Sequence, residues 1–135
     1  MVCVHCGHDT QVINSRLQKR SNRVWRRRRC NNCSAAFTTL ESADYGAVWA
    51  VKGKNGHISP FSRDKLFLSL YHSCRHRSEA LGEASNLADT VIRKLSAVVH
   101  DGSIAATDIY QLVQTALDHF DMAAGVYYAA YHRDT

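Results

Sequence analysis

The stretch that decides the fold is Cys3-Val4-His5-Cys6-Gly7, answered after 23 intervening residues (7–29) by Cys30-Asn31-Asn32-Cys33. A Cys-x₂-Cys turn can aim two sulfurs at one ion. Two such turns, brought together by a hairpin, complete a tetrahedral S₄ site of the kind that holds Zn²⁺. Four thiolates leave no open coordination position, so the metal at Cys3, Cys6, Cys30 and Cys33 is structural rather than catalytic. His5 and His8 are spare imidazoles beside this set and are read as solvent-facing. The fifth cysteine, Cys74, has no partner pair; it fits an apolar helical stripe and is read as a buried apolar residue.

Two extended stretches separate the cysteine pairs. Gln11–Gln18 has β-branched residues and rough alternation, and Arg23–Arg29 follows a turn-like Lys19–Asn22. They form a predicted β-hairpin, with a third short strand at Phe37–Leu40. Alternation along the second strand puts Arg23, Trp25, Arg27 and Arg29 on one side and Val24, Arg26 and Arg28 on the other. Neither side is apolar enough to build a core, so metal has to supply most of the stability, typically on the order of 10 kcal/mol.

Charge is divided unevenly along the chain. Residues 1–34 carry eight Lys/Arg against one acid, a formal +7; the remainder carries nine against eleven, a formal −2. Four thiolates with one Zn²⁺ lower the first figure by two. The basic third of the chain therefore suits a polyanion. No acid interrupts Arg23–Arg29, and Trp25 stands inside the run either as a stacking or wedge residue or as cover for the small ribbon core. Contacts to about five phosphates predict a log K versus log salt slope near −4 to −5 on duplex DNA.

Beyond the ribbon, Ala43–Lys52 is rich in strand formers, Asn55-Gly56 signals a tight turn, and a short strand through Ile58 closes a hairpin ended by Pro60. Ser62 is a helix N-cap. Apolar stripes at helical spacing follow: Leu66, Leu70 and Cys74 with Phe67 and Tyr71; then Leu87, Val91, Leu95 and Val98, ending before Gly102; then Ile109, Leu112, Val113, Ala116, Leu117 and Phe120, with Thr107 as N-cap. Asp121 starts a short fourth helix through Tyr131. The fold class is α+β: a small β zinc ribbon over residues 1–42, then a mainly helical domain with a β-hairpin over residues 43–135. No apolar run is long enough to span a bilayer. No signal-peptide core follows Met1, which places the protein in the cytoplasm. Gly53-x-x-Gly56 lacks the ending of a P-loop, and no nucleophile or acid/base set is visible, so no enzyme is expected.

These parts, in this order, resemble the NrdR-type transcriptional repressors of ribonucleotide reductase genes. The matching text is Cys3-x-x-Cys6-Gly7, Thr10-Gln11-Val12-Ile13-Asn14-Ser15-Arg16, Val24-x-Arg26-Arg27-Arg28-Arg29-Cys30-x-x-Cys33 and Phe37-Thr38-Thr39-x-Glu41. Further on come Val51-Lys52, Asn55-Gly56, Pro60-Phe61-x-Arg63-Asp64-Lys65-Leu66 and Cys74-x-x-Arg77. The resemblance implies a zinc ribbon joined to an ATP-cone domain, with Arg16 and Arg26, Arg27, Arg28 and Arg29 contacting double-stranded DNA. It implies that Val51, Lys52, Lys54 and Lys65 line a site for ATP or dATP, that the nucleotide acts as an allosteric ligand, and that the chain forms a homo-oligomer at the bacterial nucleoid. Pro60 and Phe61 are read as shaping the hairpin-to-helix corner.

The sequence departs from the family pattern at three places. Gly53 stands where a cation is usual, with Lys52 one position early; a bulged backbone would bring Lys52 into the site. Gly125 and Tyr127 replace the family's Tyr and Arg in the stretch Ala124–Arg133. Two other function classes compete with the repressor reading: a ribbon docking on an acidic protein, and an enzyme.

Overall fold

The computed structural model describes residues 1–132 and divides into two compact units, Met1–Ala43 and a second beginning at Asp44. Arg133, the last residue of the C-terminal comparison, lies outside the described residues. The architecture is α+β, as the sequence indicated.

The first unit is a three-stranded antiparallel sheet, β1 (Thr10–Gln18), β2 (Arg23–Cys30) and β3 (Ala36–Ser42), in that spatial order. Asn22 closes the β1–β2 turn with φ 49°, a left-handed conformation that Asn tolerates. The β1–β2 register slips between Val12 and Asn14, so Ile13 is the extra residue of a bulge. Only Cys3 and Cys30 are buried in this unit. Val12, Ile13, Leu17 and Leu40 are exposed, and Val24, Trp25 and Phe37 are only half-buried.

The second unit opens with a short helix, α1 (Tyr45–Val48), where the sequence pattern predicts strand. Asp44 decides the outcome locally: its Oδ1 accepts from the Gly46 and Ala47 backbone N–H groups at 3.1 and 3.3 Å, which is N-capping. Strand β4 is thereby shortened to Ala50–Lys52, pairing antiparallel with β5 (Ile58–Pro60) in regular register. Gly56, at φ 73°, supplies the turn between them, as glycine can without strain. Helices α2 (Arg63–Cys74) and α3 (Ala80–Val98) follow. A strand the sequence did not reveal, β6 (Ser103–Ala105), then pairs parallel with β4. Gly102 makes that pairing possible. It sits at φ 74°, its carbonyl accepts from Ala50 N–H at 2.8 Å, and a Cβ there would lie 2.7 Å from the Val48 carbonyl oxygen. Only glycine meets both demands.

Helix α4 (Ala106–Phe120) starts directly after β6, with Ala105 rather than Thr107 at the N-cap and no side-chain cap. Helix α5 (Met122–Tyr131) is capped by Asp121, whose Oδ1 accepts from Ala124 N–H at 3.1 Å. Ser62 caps α2 in the same way, through Lys65 N–H at 3.2 Å. The core is built by the predicted stripes: Leu66, Leu70, Leu87, Val91, Leu95, Val113 and Leu117 are all buried, with Trp49, Phe61 and Ile104 added from the sheet side, whereas Val98 and Phe120, at the C-terminal ends of their helices, are exposed rather than core. Cys74 is fully buried, and desolvation pushes its thiol up, as expected of an inert apolar cysteine. Arg77, three residues on, holds three elements together: it donates to Glu83 on α3 at 2.6 and 2.8 Å and to Asp121 at 2.7 Å. At Gly125 any Cβ would collide with the Asp118 carboxylate, so the Tyr of the family pattern cannot be housed beside this Asp118 rotamer.

Candidate metal centre and nucleic-acid interface

The two cysteine turns are built alike. In the first, Gly7 N–H donates to the Cys3 carbonyl at 3.0 Å and Cys3 N–H to the His8 carbonyl at 2.8 Å; in the second, Cys30 N–H donates to the Ala35 carbonyl at 2.9 Å. The residue after each second cysteine is left-handed: Gly7 at φ 73° and Ser34 at φ 61°. The sheet closes the gap between them, since Asn31 N–H donates to the Asp9 carbonyl at 3.1 Å. As a result all four Sγ atoms lie within 4.8 Å of one another, with Cys3–Cys33 at 3.7 Å and Cys6–Cys30 at 3.5 Å. Sulfurs at about 2.3 Å from a central zinc form a tetrahedron with edges of about 3.8 Å, so the donor set suits Zn²⁺ in size as well as in chemistry.

Backbone donors prepare the sulfurs for that charge. His5 N–H points to Cys3 Sγ at 3.4 Å, and Asn32 and Cys33 N–H groups point to Cys30 Sγ at 3.4 and 3.5 Å. A backbone hydrogen bond from His8, opposed by desolvation and joined by the neighbouring thiols of Cys30 and Cys33, brings the Cys6 thiol down to about 5. Cys33, despite a backbone hydrogen bond from Ala35, is pushed up to about 12 by its hydrogen bonds to the Cys6, Cys30 and Cys3 thiols and by desolvation. Hydrogen bonds to a thiolate favour its charged form. His8 turns its ring to the Cys6 carbonyl, with Nδ1 at 3.0 Å, outside the sulfur cluster.

The arginine strand runs through the middle of the ribbon sheet, and the cross-strand register assigns each arginine to a face. Arg16 lies opposite Trp25, and Trp25 opposite Leu40; Asn14 and Thr38 flank Arg27. Arg26 lies between Ser15 and Thr39, and donates to Ser15 Oγ at 3.3 Å and Glu41 Oε2 at 3.2 Å. Arg28 donates to Thr39 Oγ1 at 3.3 Å and Thr10 Oγ1 at 3.5 Å, and Arg27 to Thr38 Oγ1 at 3.2 Å. The five arginines predicted to act together thus divide between two faces, Arg16, Arg27 and Arg29 on one and Arg26 and Arg28 on the other.

In the second unit a cleft of about 200 Å³ opens between β4, β5, α2, α4 and α5. Val51 and Lys65 line it, together with Ser59, Ser69 and Tyr128. Pro60 and Phe61 also reach the cleft wall, so they line it as well as shaping the corner. Lys52 and Lys54 are exposed and do not line it. Strand β4 is regular through Lys52, so Lys52 points away from the face that Val51 presents. Sequence reasoning did not single out Ser69 or Tyr128, which lie within α2 and α5 and carry no motif of their own. Burial pushes the Tyr128 hydroxyl up to about 12, and its ring stacks on Tyr110 at 5.4 Å. His132 places Nε2 2.9 Å from Ser69 Oγ, and desolvation lowers its pKa. A larger groove of about 430 Å³ between α3, β6 and α4 offers Asp108 and no cation, the wrong charge for phosphate.

A three-stranded antiparallel sheet with two facing cysteine turns at one end defines a zinc-ribbon protein. Residues 1–41 match the family described as the transcriptional repressor NrdR-like N-terminal domain. The similarity continues beyond the ribbon. The chain is 34% identical to the transcriptional repressor NrdR of Sphingopyxis alaskensis over 99% of its own length and 86% of the relative's. It is 34% identical to that of Syntrophotalea carbinolica over 98% and 84%, and 33% identical to that of Symbiobacterium thermophilum over 99% and 88%. The chain belongs to the NrdR family of transcriptional repressors. No helix among the described residues is long and apolar enough to cross a membrane.

Proposed function

We propose that this protein is a nucleotide-responsive repressor that binds promoter DNA of ribonucleotide reductase genes through its ribbon and reads ATP or dATP with its helical unit. One observation carries the reading: a four-sulfur cluster braces a sheet whose central strand is an acid-free arginine run, within a chain of the NrdR family. Cys3, Cys6, Cys30 and Cys33 hold Zn²⁺, which supplies the cross-link that an unburied sheet cannot supply for itself. Arg16 and the arginine strand Arg26 to Arg29 supply the positive charge that draws the ribbon to the phosphate backbone.

The cleft between β4 and α2 takes the adenine base against Val51 and Tyr128. Its volume suits a base rather than a whole nucleotide. The phosphates therefore lie outside, where Lys65 stands in the first turn of α2 and Lys52 and Lys54 add charge at the approach. The protein acts in the cytoplasm at the nucleoid as a homo-oligomer. Nucleotide switches it only by favouring one assembly over another, with a coupling of roughly 1–3 kcal/mol.

The test is a gel-shift titration on a reductase promoter with apo, ATP-loaded and dATP-loaded protein. Distinct curves support the switch; identical curves reject it. A second reading draws on the regular pairing of β4, which leaves Lys52 pointing away from the cleft. In that reading the ribbon docks on an acidic protein and the helical unit is nucleotide-free. Absence of any heat-stability shift with millimolar ATP or dATP would favour it.

A further inference from the structure

The bulge in β1 has a consequence for how the ribbon meets its partner. Val12 lies opposite Arg28, and regular pairing from there would set Arg16 opposite Val24. The extra residue, Ile13, moves Arg16 opposite Trp25 instead. A one-residue slip changes the face of every side chain beyond it. The bulge therefore transfers Arg16 to the face that carries Trp25, Arg27 and Arg29.

The two faces differ in charge and in engagement. The first presents Arg16, Arg27 and Arg29 at the register positions of one side, with no acid among their cross-strand partners. Arg16 and Arg29 are exposed, Trp25 is half-buried among them, and half-buried Arg27 donates, among the described residues, only to the neutral Thr38 hydroxyl. The second presents Arg26 and Arg28, with Glu41 beside Arg26. Arg26 is paired with that carboxylate, and both guanidinium groups donate to hydroxyls of the flanking strands, Ser15, Thr39 and Thr10. These bonds run from the central strand to both neighbours, which is what a sheet without an apolar core needs to keep its strands in register. Counterion release favours phosphate contacts most where cations are not already neutralised, and the major groove admits a two-stranded ribbon.

We infer that the ribbon engages duplex DNA with one face only, that of Arg16, Trp25, Arg27 and Arg29, while Arg26 and Arg28 on the other face are positioning residues that tie β2 to β1 and β3. The inference rests on the DNA-binding reading above and sharpens it to a surface. Two paired variants of the full, zinc-loaded chain test it on a reductase-promoter duplex across a salt series. Arg27→Ala with Arg29→Ala should weaken binding by about tenfold or more and flatten the log K versus log salt slope by about 2. Arg26→Ala with Arg28→Ala should leave the slope unchanged while lowering the heat stability of the ribbon.

Equal flattening by both pairs, or a greater loss from the Arg26/Arg28 pair in protein that keeps its zinc, overturns the assignment. A wild-type chain with no affinity for any duplex would sink the DNA-binding reading itself, a different result. Trp25 gives an independent check should a variant fail to fold. Duplex should shield wild-type emission from acrylamide quenching, and Trp25→Phe should lose that shielded component. Unshielded Trp25 in a bound complex contradicts the face.

Discussion

Ser34 occupies the place in the second cysteine turn that Gly7 holds in the first, and both are left-handed. Glycine accepts that conformation without strain, whereas other L-residues adopt it at a cost of roughly 1–2 kcal/mol, against a backbone-entropy difference of about 0.5–1 kcal/mol. Ser34→Gly should therefore stabilise the ribbon by up to about 1 kcal/mol, read as a higher chelator concentration needed for half-loss of zinc. The neighbouring cysteines work in the opposite direction. Cys30 is one of only two buried residues in its unit and accepts two backbone N–H groups on its sulfur. Cys30→Ser should unfold residues 1–43, release the metal and abolish DNA binding, while the far-UV helical signal of the second unit persists. Retained stoichiometric zinc with retained binding would contradict the site.

At the scale of elements, one guanidinium links the end of α2, the start of α3 and the cap of α5. Arg77 holds both Glu83 and Asp121 below the usual carboxylate range, and His76 adds to the effect on Asp121 from 3.1 Å. A carboxyl whose folded pKa is depressed contributes stability that is fully present above its unfolded value, near about 4, and is lost as pH falls through the folded value. The helical unit should accordingly lose stability progressively below about pH 4. In Arg77→Gln the helical unit should be weaker at pH 7, and the gap from wild type should narrow as pH falls from about 4 toward 2. Urea titrations followed by helical ellipticity at the two pH values measure this. A gap that stays constant with pH would mean that Arg77 acts by packing on Phe120, 4.7 Å from its ring centroid, rather than by its ion pairs.

At the scale of the whole molecule, the two units carry different chemistry and their defects should separate. Lys65 is exposed beside the cleft, and the Ser62 cap uses its backbone N–H rather than its side chain. Lys65→Ala should weaken ATP and dATP binding by about tenfold, the loss of one charged contact to phosphate of about 1.4 kcal/mol. Its DNA affinity without nucleotide and its salt slope should match wild type. Calorimetric titration of the nucleotide against a gel-shift series on the same samples checks both halves; unchanged nucleotide affinity would move that site away from the cleft.

Much of this architecture follows from local pattern. The cysteine spacing determined a four-sulfur cluster, because two short turns on a hairpin have few other ways to point. Helical periodicity determined α2 to α4 and most of their buried stripes, because each helix hides one face from water, and Asp121 marked the start of α5. Other features were settled only by contacts distant in sequence. Strand β6 exists because Gly102 lets three residues lie beside β4, far earlier in the chain, and no three-residue pattern announces such a partner. Ser69 and Tyr128 became cleft residues only when α2 and α5 met. The side of the ribbon on which Arg16 falls hangs on a single extra residue at Ile13. Composition sets how much charge a strand holds; register, a tertiary property, decides which way that charge points.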